Sequence, residues 1–259
     1  MKSVARFPLR PLLAVGYLHL LMKPDYGIDA PGVIRNLVLI GVGLLAVAWF
    51  VPVLRLGPVN ISMRPTAITT SSFLFLEALL MVVYAKSGKF HHRDRMLKLV
   101  NWKGDESVLD VGTGRGLMMI GAAKRLTSGL SVGIDIWSKE DLSGNSIENT
   151  LRNAELEGVR EKVKVANGDA TEMKLADNSF DVVLSNLCLH NIPKREARDQ
   201  ACREIVRVLK PGGKALISDF KNTAEYVEAF RAAGASATRS GMNWLRTFPP
   251  LRIVEVTKP

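Results

Sequence analysis

Cysteine is nearly absent from this sequence: only Cys188 and Cys202 occur, with no paired spacing. That excludes a disulfide framework and a cysteine-built zinc site, and free thiols fit a reducing compartment. There is no internal repeat and no low-complexity tract, and the 47% hydrophobic and 23% charged residues are those of a folded chain. Positive charge is scarce where an enzyme of nucleic acids would need it. Of the net charge of +10, the first hundred residues supply eight, through twelve Lys/Arg set against Asp25, Asp29, Glu77 and Asp94. The excess therefore lies beside hydrophobic segments, where anionic lipid head groups would attract it, and no nucleic-acid partner is expected.

Charge is missing altogether between Arg35 and Arg55, in NLVLIGVGLLAVAWFVPVL. This run is close to the roughly 20 residues that cross a bilayer as a helix, has no polar stripe, and carries Trp49 and Phe50 towards one end. A second run, TAITTSSFLFLEALLMVVYA, follows Arg64-Pro65 and contains Glu77, expected to be neutral or near an interface because a carboxylate in lipid is costly. The short connection makes a hairpin. Five basic residues precede the first run and five follow the second, against two arginines between them, so both termini and the catalytic domain are expected in the cytoplasm. Lys2, Arg6 and Arg10 precede PLLAVGYLHLLM, which ends in Lys23-Pro24-Asp25 without a small-residue cleavage site; an interfacial lead-in is expected there. The expected organisation is a membrane region over residues 1–85 (helices about 36–55 and 65–85), a juxtamembrane helix over 86–101, and a catalytic domain over 102–259. In the basic linker His91 and His92 are adjacent, about 100° apart on a helix, so they make a poor metal pair and are expected to be solvated.

From Ser107 onwards short apolar strands alternate with amphipathic helices. Strands are predicted at Ser107–Val111, Ser131–Asp135, Lys162–Ala166, Phe180–Ser185 and Lys214–Asp219. Helices are predicted at Leu117–Leu126, Ser146–Glu157, Glu196–Leu209 and Ala224–Ala233, the second opened by an Asn145/Glu148 capping spacing. Strands separated by helices pair in parallel, which gives an α/β, doubly wound, Rossmann-like sheet. Ser236–Ser240 and Leu251–Thr257 have no helix between them and should close it as an antiparallel hairpin, making seven strands.

The chemistry begins at Asp110-Val111-Gly112-Thr113-Gly114-Arg115-Gly116. Glycines at 112, 114 and 116 allow a sharp turn after the strand and bring bare backbone to a ligand. The spacing is GxGxG, and Asp110 stands two residues before the first glycine. A pyrophosphate would be repelled there, whereas a ligand bearing an ammonium and a sulfonium would be welcomed.

On these residues the chain resembles the class I S-adenosylmethionine-dependent methyltransferases, whose first motif reads D/E-x-G-x-G-x-G. Later motifs follow in order. The resemblance implies that Asp135, in VGIDIW, hydrogen-bonds ribose hydroxyls and that Ile136 and Trp137 cover the adenine. It implies that Asp169, in NGDAT, reads the adenine amino group, with Ala170 offering backbone. FDVVLSN, ending in Ser185 and Asn186, matches the fourth strand and its loop, and RVLKPGG the turn into the fifth. The chain is most similar to the branch that includes ubiquinone and menaquinone methyltransferases, with LKPGG and a histidine-containing loop, here Leu187-Cys188-Leu189-His190-Asn191-Ile192. The segment WSKEDLSGN is longer than is usual there; it is either a lid on the cofactor or a decorated loop.

Methyl transfer from a sulfonium needs alignment and exclusion of water, with a base only where the acceptor must lose a proton. His190 is the leading candidate for that base, and Asn186 and Asn191 are candidates for orienting the acceptor. The N/D-P-P-Y loop of amino methylation is absent, and two cysteines fall short of a three-cysteine arsenic site. The expected activity is methylation of a lipophilic or small-molecule acceptor at a membrane. Two other readings stand beside it: an enzyme acting on a protein or soluble metabolite, and a cofactor-binding membrane scaffold without turnover.

Overall fold

The computed structural model describes residues 23–244 and 246–259, so the expected lead-in of residues 1–22 lies outside the described residues. Helix α1 (Pro31–Phe50) starts and stops five residues earlier than the uncharged run suggests. Proline fits the first helical position, where no amide is needed, and Pro52 cannot continue the helix. Strands β1 (Val53–Leu56) and β2 (Val59–Ser62) then pair antiparallel, turning at Gly57, and lead into α2 (Met63–Val83). The two helices meet closely. A Cβ on Gly41 would lie 2.6 Å from the Phe75 ring, and the Ser71 hydroxyl donates to the Gly41 carbonyl at 2.8 Å. A missing side chain thus lets one backbone approach the other helix, as small residues do between apolar helices. Their outer faces stay uncovered, with Leu39, Phe50, Phe73 and Leu79 all exposed.

One wide turn at Tyr84–Gly88 carries α2 into α3 (Lys89–Leu97). The stretch expected as a juxtamembrane helix is a wall of the domain: Met96 and Leu97 are fully buried against Val108, Met118 and Leu184. Each such side chain removed from water contributes about 1.5–3 kcal/mol. His92 corrects the expectation of solvated histidines. It is buried, with Nε2 2.6 Å from the Ser218 hydroxyl, whereas His91 is exposed. The difference follows from helical geometry, since neighbouring side chains face different sides and only one of these faces the sheet.

The seven-stranded sheet comprises β3 (Ser107–Val111), β4 (Leu130–Asp135), β5 (Val163–Asn167), β6 (Phe180–Asn186), β7 (Leu209–Asp219), β8 (Ser236–Arg239) and β9 (Arg252–Thr257), in the order β5-β4-β3-β6-β7-β9-β8. The first five of these pair in parallel, and β9 runs antiparallel to both β7 and β8. Helices α4 (Leu117–Ala123), α5 (Ile147–Leu156), α6 (Arg195–Val208) and α7 (Thr223–Ala232) connect them. Strand periodicity splits neighbours between two cores. Leu109, Val183 and Ile217 pack with Ile205 and Phe230 of α6 and α7, while Val108, Val182 and Leu216 pack with Met96 and Met118 of α3 and α4.

Candidate active site

From β3 the chain crosses to β4 on one side and later returns to β6 on the other, so β3 and β6 flank the point where strand order reverses. Ligands of open parallel sheets bind at the carboxyl ends of the strands at that point. A cleft of about 600 Å³ opens there, within the range of small-molecule sites.

Its floor is the glycine-rich turn. Gly112 has φ +71°, and a Cβ on it would sit 2.2 Å from Cys188 Sγ, so no other residue fits between β3 and the loop after β6. Asp110, at the end of β3, is almost wholly buried. Its Oδ2 accepts from the Thr113 hydroxyl at 2.8 Å and from the Met119 amide at 2.9 Å. Oδ1 is buried with no partner among the described residues. Burial, with Asp135 adding like charge, pushes this carboxyl up to about 7. An orphaned carboxylate oxygen on a glycine floor is a place for a cation.

Asp135 also lines the cleft, but its oxygens are engaged. Oδ2 accepts from Gly114 N at 2.7 Å; Oδ1 accepts from Trp137 N at 2.6 Å and Asn145 Nδ2 at 3.2 Å. It therefore pins the glycine-rich turn to the end of β4. Asn145 is not the helix cap that its spacing suggests. Ser146 caps α5, accepting from Asn149 N at 3.3 Å, and Asn145 is drawn inward to Asp135 and the Ser138 carbonyl. Both residue types cap helices, and the nearby carboxylate decides between them.

Asp169, Ala170, Ile136, Asn186, Thr113 and Gly114 all reach the cleft wall. Asp169 folds Oδ1 onto Thr171 through two 2.8 Å bonds. Four expected residues are not on that wall. Gly116 begins α4 at φ +86° behind the turn, and Trp137 turns away so that its indole donates to Asn167 Oδ1 at 2.6 Å. The buried Ser185 hydroxyl donates to the Val111 carbonyl at 2.9 Å, tying β6 to β3. His190 is the fourth. Its Nδ1 lies 2.8 Å from Asp219 Oδ1, its ring stacks edge-on against Phe220, and its own amide donates to Asp219 Oδ2 at 3.1 Å. The His190 imidazole thus sits against Asp219 at the end of β7 and does not itself line the cleft. Cys188 does line the cleft, where burial and three nearby carboxylates push its thiol up and keep it protonated.

The missed part of the site comes from far upstream. Residues 23–30 lie across the domain as a strap. Asp25 N donates to Asn153 Oδ1 at 2.9 Å, and Asn153 Nδ2 returns a bond to the Asp25 carbonyl at 2.9 Å. Ile28 N donates to the Ser143 hydroxyl at 2.8 Å, Ala30 N donates to the Asp141 carbonyl at 2.8 Å, and Asp25 pairs with Arg115 at 3.0 Å. The long segment after β4 is thus half of a clasp. Lys89, almost fully buried, closes it by donating to the Tyr26 and Gly27 carbonyls at 2.8 and 2.7 Å, with Asp29 Oδ2 at 3.4 Å. Tyr26, Asp29 and Lys89 all line the cleft.

Comparison with known proteins agrees with this geometry. Residues 109–217 match the family model for a methyltransferase domain. The chain is 32% identical over 142 residues to an uncharacterized protein of Haemophilus influenzae, covering 52% of this chain and 53% of that one. It is 32% identical over 124 residues to a demethylmenaquinone methyltransferase of Lactobacillus johnsonii, covering 47% of each. It spans about half the length of the curated relatives it matches. The YcgJ protein of Bacillus subtilis shares the fold at TM-score 0.53 and 18% identity, over 65% of this chain and 98% of that one. The glycine-rich turn, Asp110, Asp135, Asp169 and Asn186 of the cleft all fall within the matched residues 109–217.

Proposed function

We propose that this chain is a membrane-anchored enzyme that moves a methyl group from S-adenosylmethionine to a lipophilic or small-molecule acceptor. One observation carries the cofactor half: the buried, unpartnered Asp110 Oδ1 over the glycine-lined turn, which suits the ammonium of that molecule. When bound, S-adenosylmethionine supplies an electrophilic methyl whose bond pair returns to sulfur as a neutral thioether. Asp110 holds the cationic end, Asp135 fixes the turn, and Asp169 and Ala170 offer polar contacts along the wall. The strap and the segment after β4 keep water out.

The membrane half rests on the helices. At 1.5 Å per residue the 20 residues of α1 measure about 30 Å, the thickness of a hydrocarbon core. A core helix of a soluble domain would be covered; α1 and α2 leave their apolar faces bare over most of their length. Glu77 on α2 is half buried. Two helices that begin and end at the clasp would bring a bilayer to the cleft, so a membrane-dissolved acceptor is the natural substrate. The name of the Lactobacillus johnsonii relative, a demethylmenaquinone methyltransferase, points the same way. The organisation proposed is a cytoplasmic catalytic domain on a two-helix anchor.

The test is purified full-length protein with methyl-labelled S-adenosylmethionine and host membranes, partitioned into organic, aqueous and protein fractions. Label in the organic phase, lost in Asp110→Ala, is the expected result. Label confined to protein or water refutes the lipophilic acceptor, and no label despite tight cofactor binding refutes the enzyme.

A further inference from the structure

The catalytic domain holds a large aromatic side chain out in water, away from the cofactor cleft. Trp244, in the loop of residues 240–251 between β8 and β9, is 72% exposed. The loop that carries it is braced. The buried Thr247 hydroxyl donates to the Asn243 carbonyl at 2.7 Å and accepts from Leu251 N at 2.9 Å, and Leu251 is itself buried. An apolar ring presented on a loop that is already ordered pays little to bind a partner.

Its position identifies that partner. The loop packs on the foot of the helix hairpin, where a Cβ on Gly88 would lie 3.2 Å from the Arg246 carbonyl. Residues Met63–Leu97 form one 35-residue helical path, from the apolar segment into the wall of the domain. The hairpin thereby fixes which side of the domain faces a bilayer. The loop also lies at the carboxyl edge of the sheet, because Arg252 opens β9 opposite Asp219 at the end of β7. Phe220 follows there, 36% exposed, with the Lys221 ammonium 5.5 Å from its ring centre. This is the edge on which the cofactor cleft opens.

Charge agrees with position. Residues 239–252 contain Arg239, Arg246 and Arg252 and no acid. Arg239, Arg246 and Lys221 are exposed, and none forms an ion pair among the described residues. At the opposite edge of the sheet the cations are matched: Lys210 pairs with Asp181 at 2.8 Å and Lys214 with Glu255 at 3.5 Å. Tryptophan favours the head-group layer of a membrane, and unpaired Lys and Arg are drawn to anionic lipid.

Resting on the membrane reading above, we infer that the carboxyl edge of the catalytic domain docks on the anionic face of the bilayer. Trp244 enters the head-group layer, and Arg239, Arg246 and Lys221 meet acidic lipids. The hairpin tethers the domain, while this second contact sets its tilt and holds the mouth of the cleft at the lipid surface. Each cation there should change the ratio of docked to lifted domain about fivefold, and salt should screen the effect.

The experiment uses full-length protein in vesicles of phosphatidylcholine, alone or mixed with phosphatidylserine, each containing lipid brominated near the head group to quench tryptophan emission on contact. The chain has four tryptophans, and subtracting the spectrum of Trp244→Phe or Trp49→Phe from that of the wild type isolates each of the two most exposed. Trp49, on α1, reports insertion of the hairpin and should be quenched in both vesicle types. Trp244 should be quenched severalfold more strongly where phosphatidylserine is present. Arg239→Gln combined with Arg246→Gln should remove most of that difference, and so should high salt, which needs no substitution. Quenching of Trp49 without Trp244, or of Trp244 equally in both vesicle types, overturns the inference and leaves the hairpin as the anchor. An unquenched Trp49 overturns the membrane reading instead.

Discussion

Cofactor affinity should follow the ionisation of Asp110. This carboxyl is wholly enclosed, one oxygen is unpartnered, and burial raises it to about 7 in the free protein. Only the carboxylate can pair with an ammonium, so binding draws on the ionised fraction and releases a proton. With a value near 7 that fraction is about 3% at pH 5.5 and about 50% at pH 7, so Kd should fall roughly 15-fold, or about 1.6 kcal/mol, over that window. Above pH 7 the amino group of the ligand begins to titrate, which sets the upper limit of the window. The sign for the free protein is opposite. A carboxyl raised by folding favours the protonated native state, so its contribution to stability declines as pH rises from about 4 to about 7. Calorimetry at pH 5.5, 6, 6.5 and 7 in two buffers of different ionisation enthalpy would read both Kd and the proton released. A flat Kd, or the same slope in Asp110→Asn, would refute the reasoning.

Gly112→Ala should abolish cofactor binding and destabilise the domain by about 2–4 kcal/mol, because the new Cβ meets Cys188 at a positive φ; thermal denaturation with and without cofactor reads both effects. Asn153→Ala removes bonds to Asp25 N, the Asp25 carbonyl and the Arg115 carbonyl. It should cost about 2–4 kcal/mol and speed proteolysis within residues 23–30 severalfold, read by timed digestion. Asp219→Ala should destabilise by about 3–5 kcal/mol, since that buried carboxylate gathers His190, Phe220 N and the Tyr226 hydroxyl. His190→Ala should leave the cofactor Kd within twofold; a tenfold loss would show that the imidazole reaches the cleft after all.

Local patterns carried the catalytic fold. Leu109 and Val183 lie in short apolar strands, and the helices between them could be read from amphipathic spacing alone. Gly112 and Asp110 were legible because a turn and a charge leave marks within seven residues. Lys89 and Asp29 left no such mark. Lys89 meets Tyr26, Gly27 and Asp29 across the whole hairpin, Asp29 also bridges to Leu142 far along the chain, and nothing in a basic stretch distinguishes a lysine that is buried. His92 was hidden for the same reason, next to a histidine that is exposed. Asp219 did leave a signal: an apolar strand, ALISD, ends in an acid at the carboxyl edge of the sheet, beside the strand whose loop holds His190. Asn145 and Ser146 are both good caps, and only the position of Asp135 separates their roles.

The strap has a consequence for how the molecule is made. Asp25 and Ile28 pair with Asn153 and Ser143, at sequence separations of 128 and 115. At about 5–20 residues per second, synthesis places on the order of ten seconds between the two halves of the clasp. Both apolar helices are complete within that interval, while the floor of the cleft is still being translated. They must therefore find their surroundings before S-adenosylmethionine has anywhere to bind, and the cofactor cannot rescue a chain whose hairpin has gone astray. Loading then comes late in biogenesis, once residues 23–30 have met Asn153 and Ser143 and the cleft has its full wall.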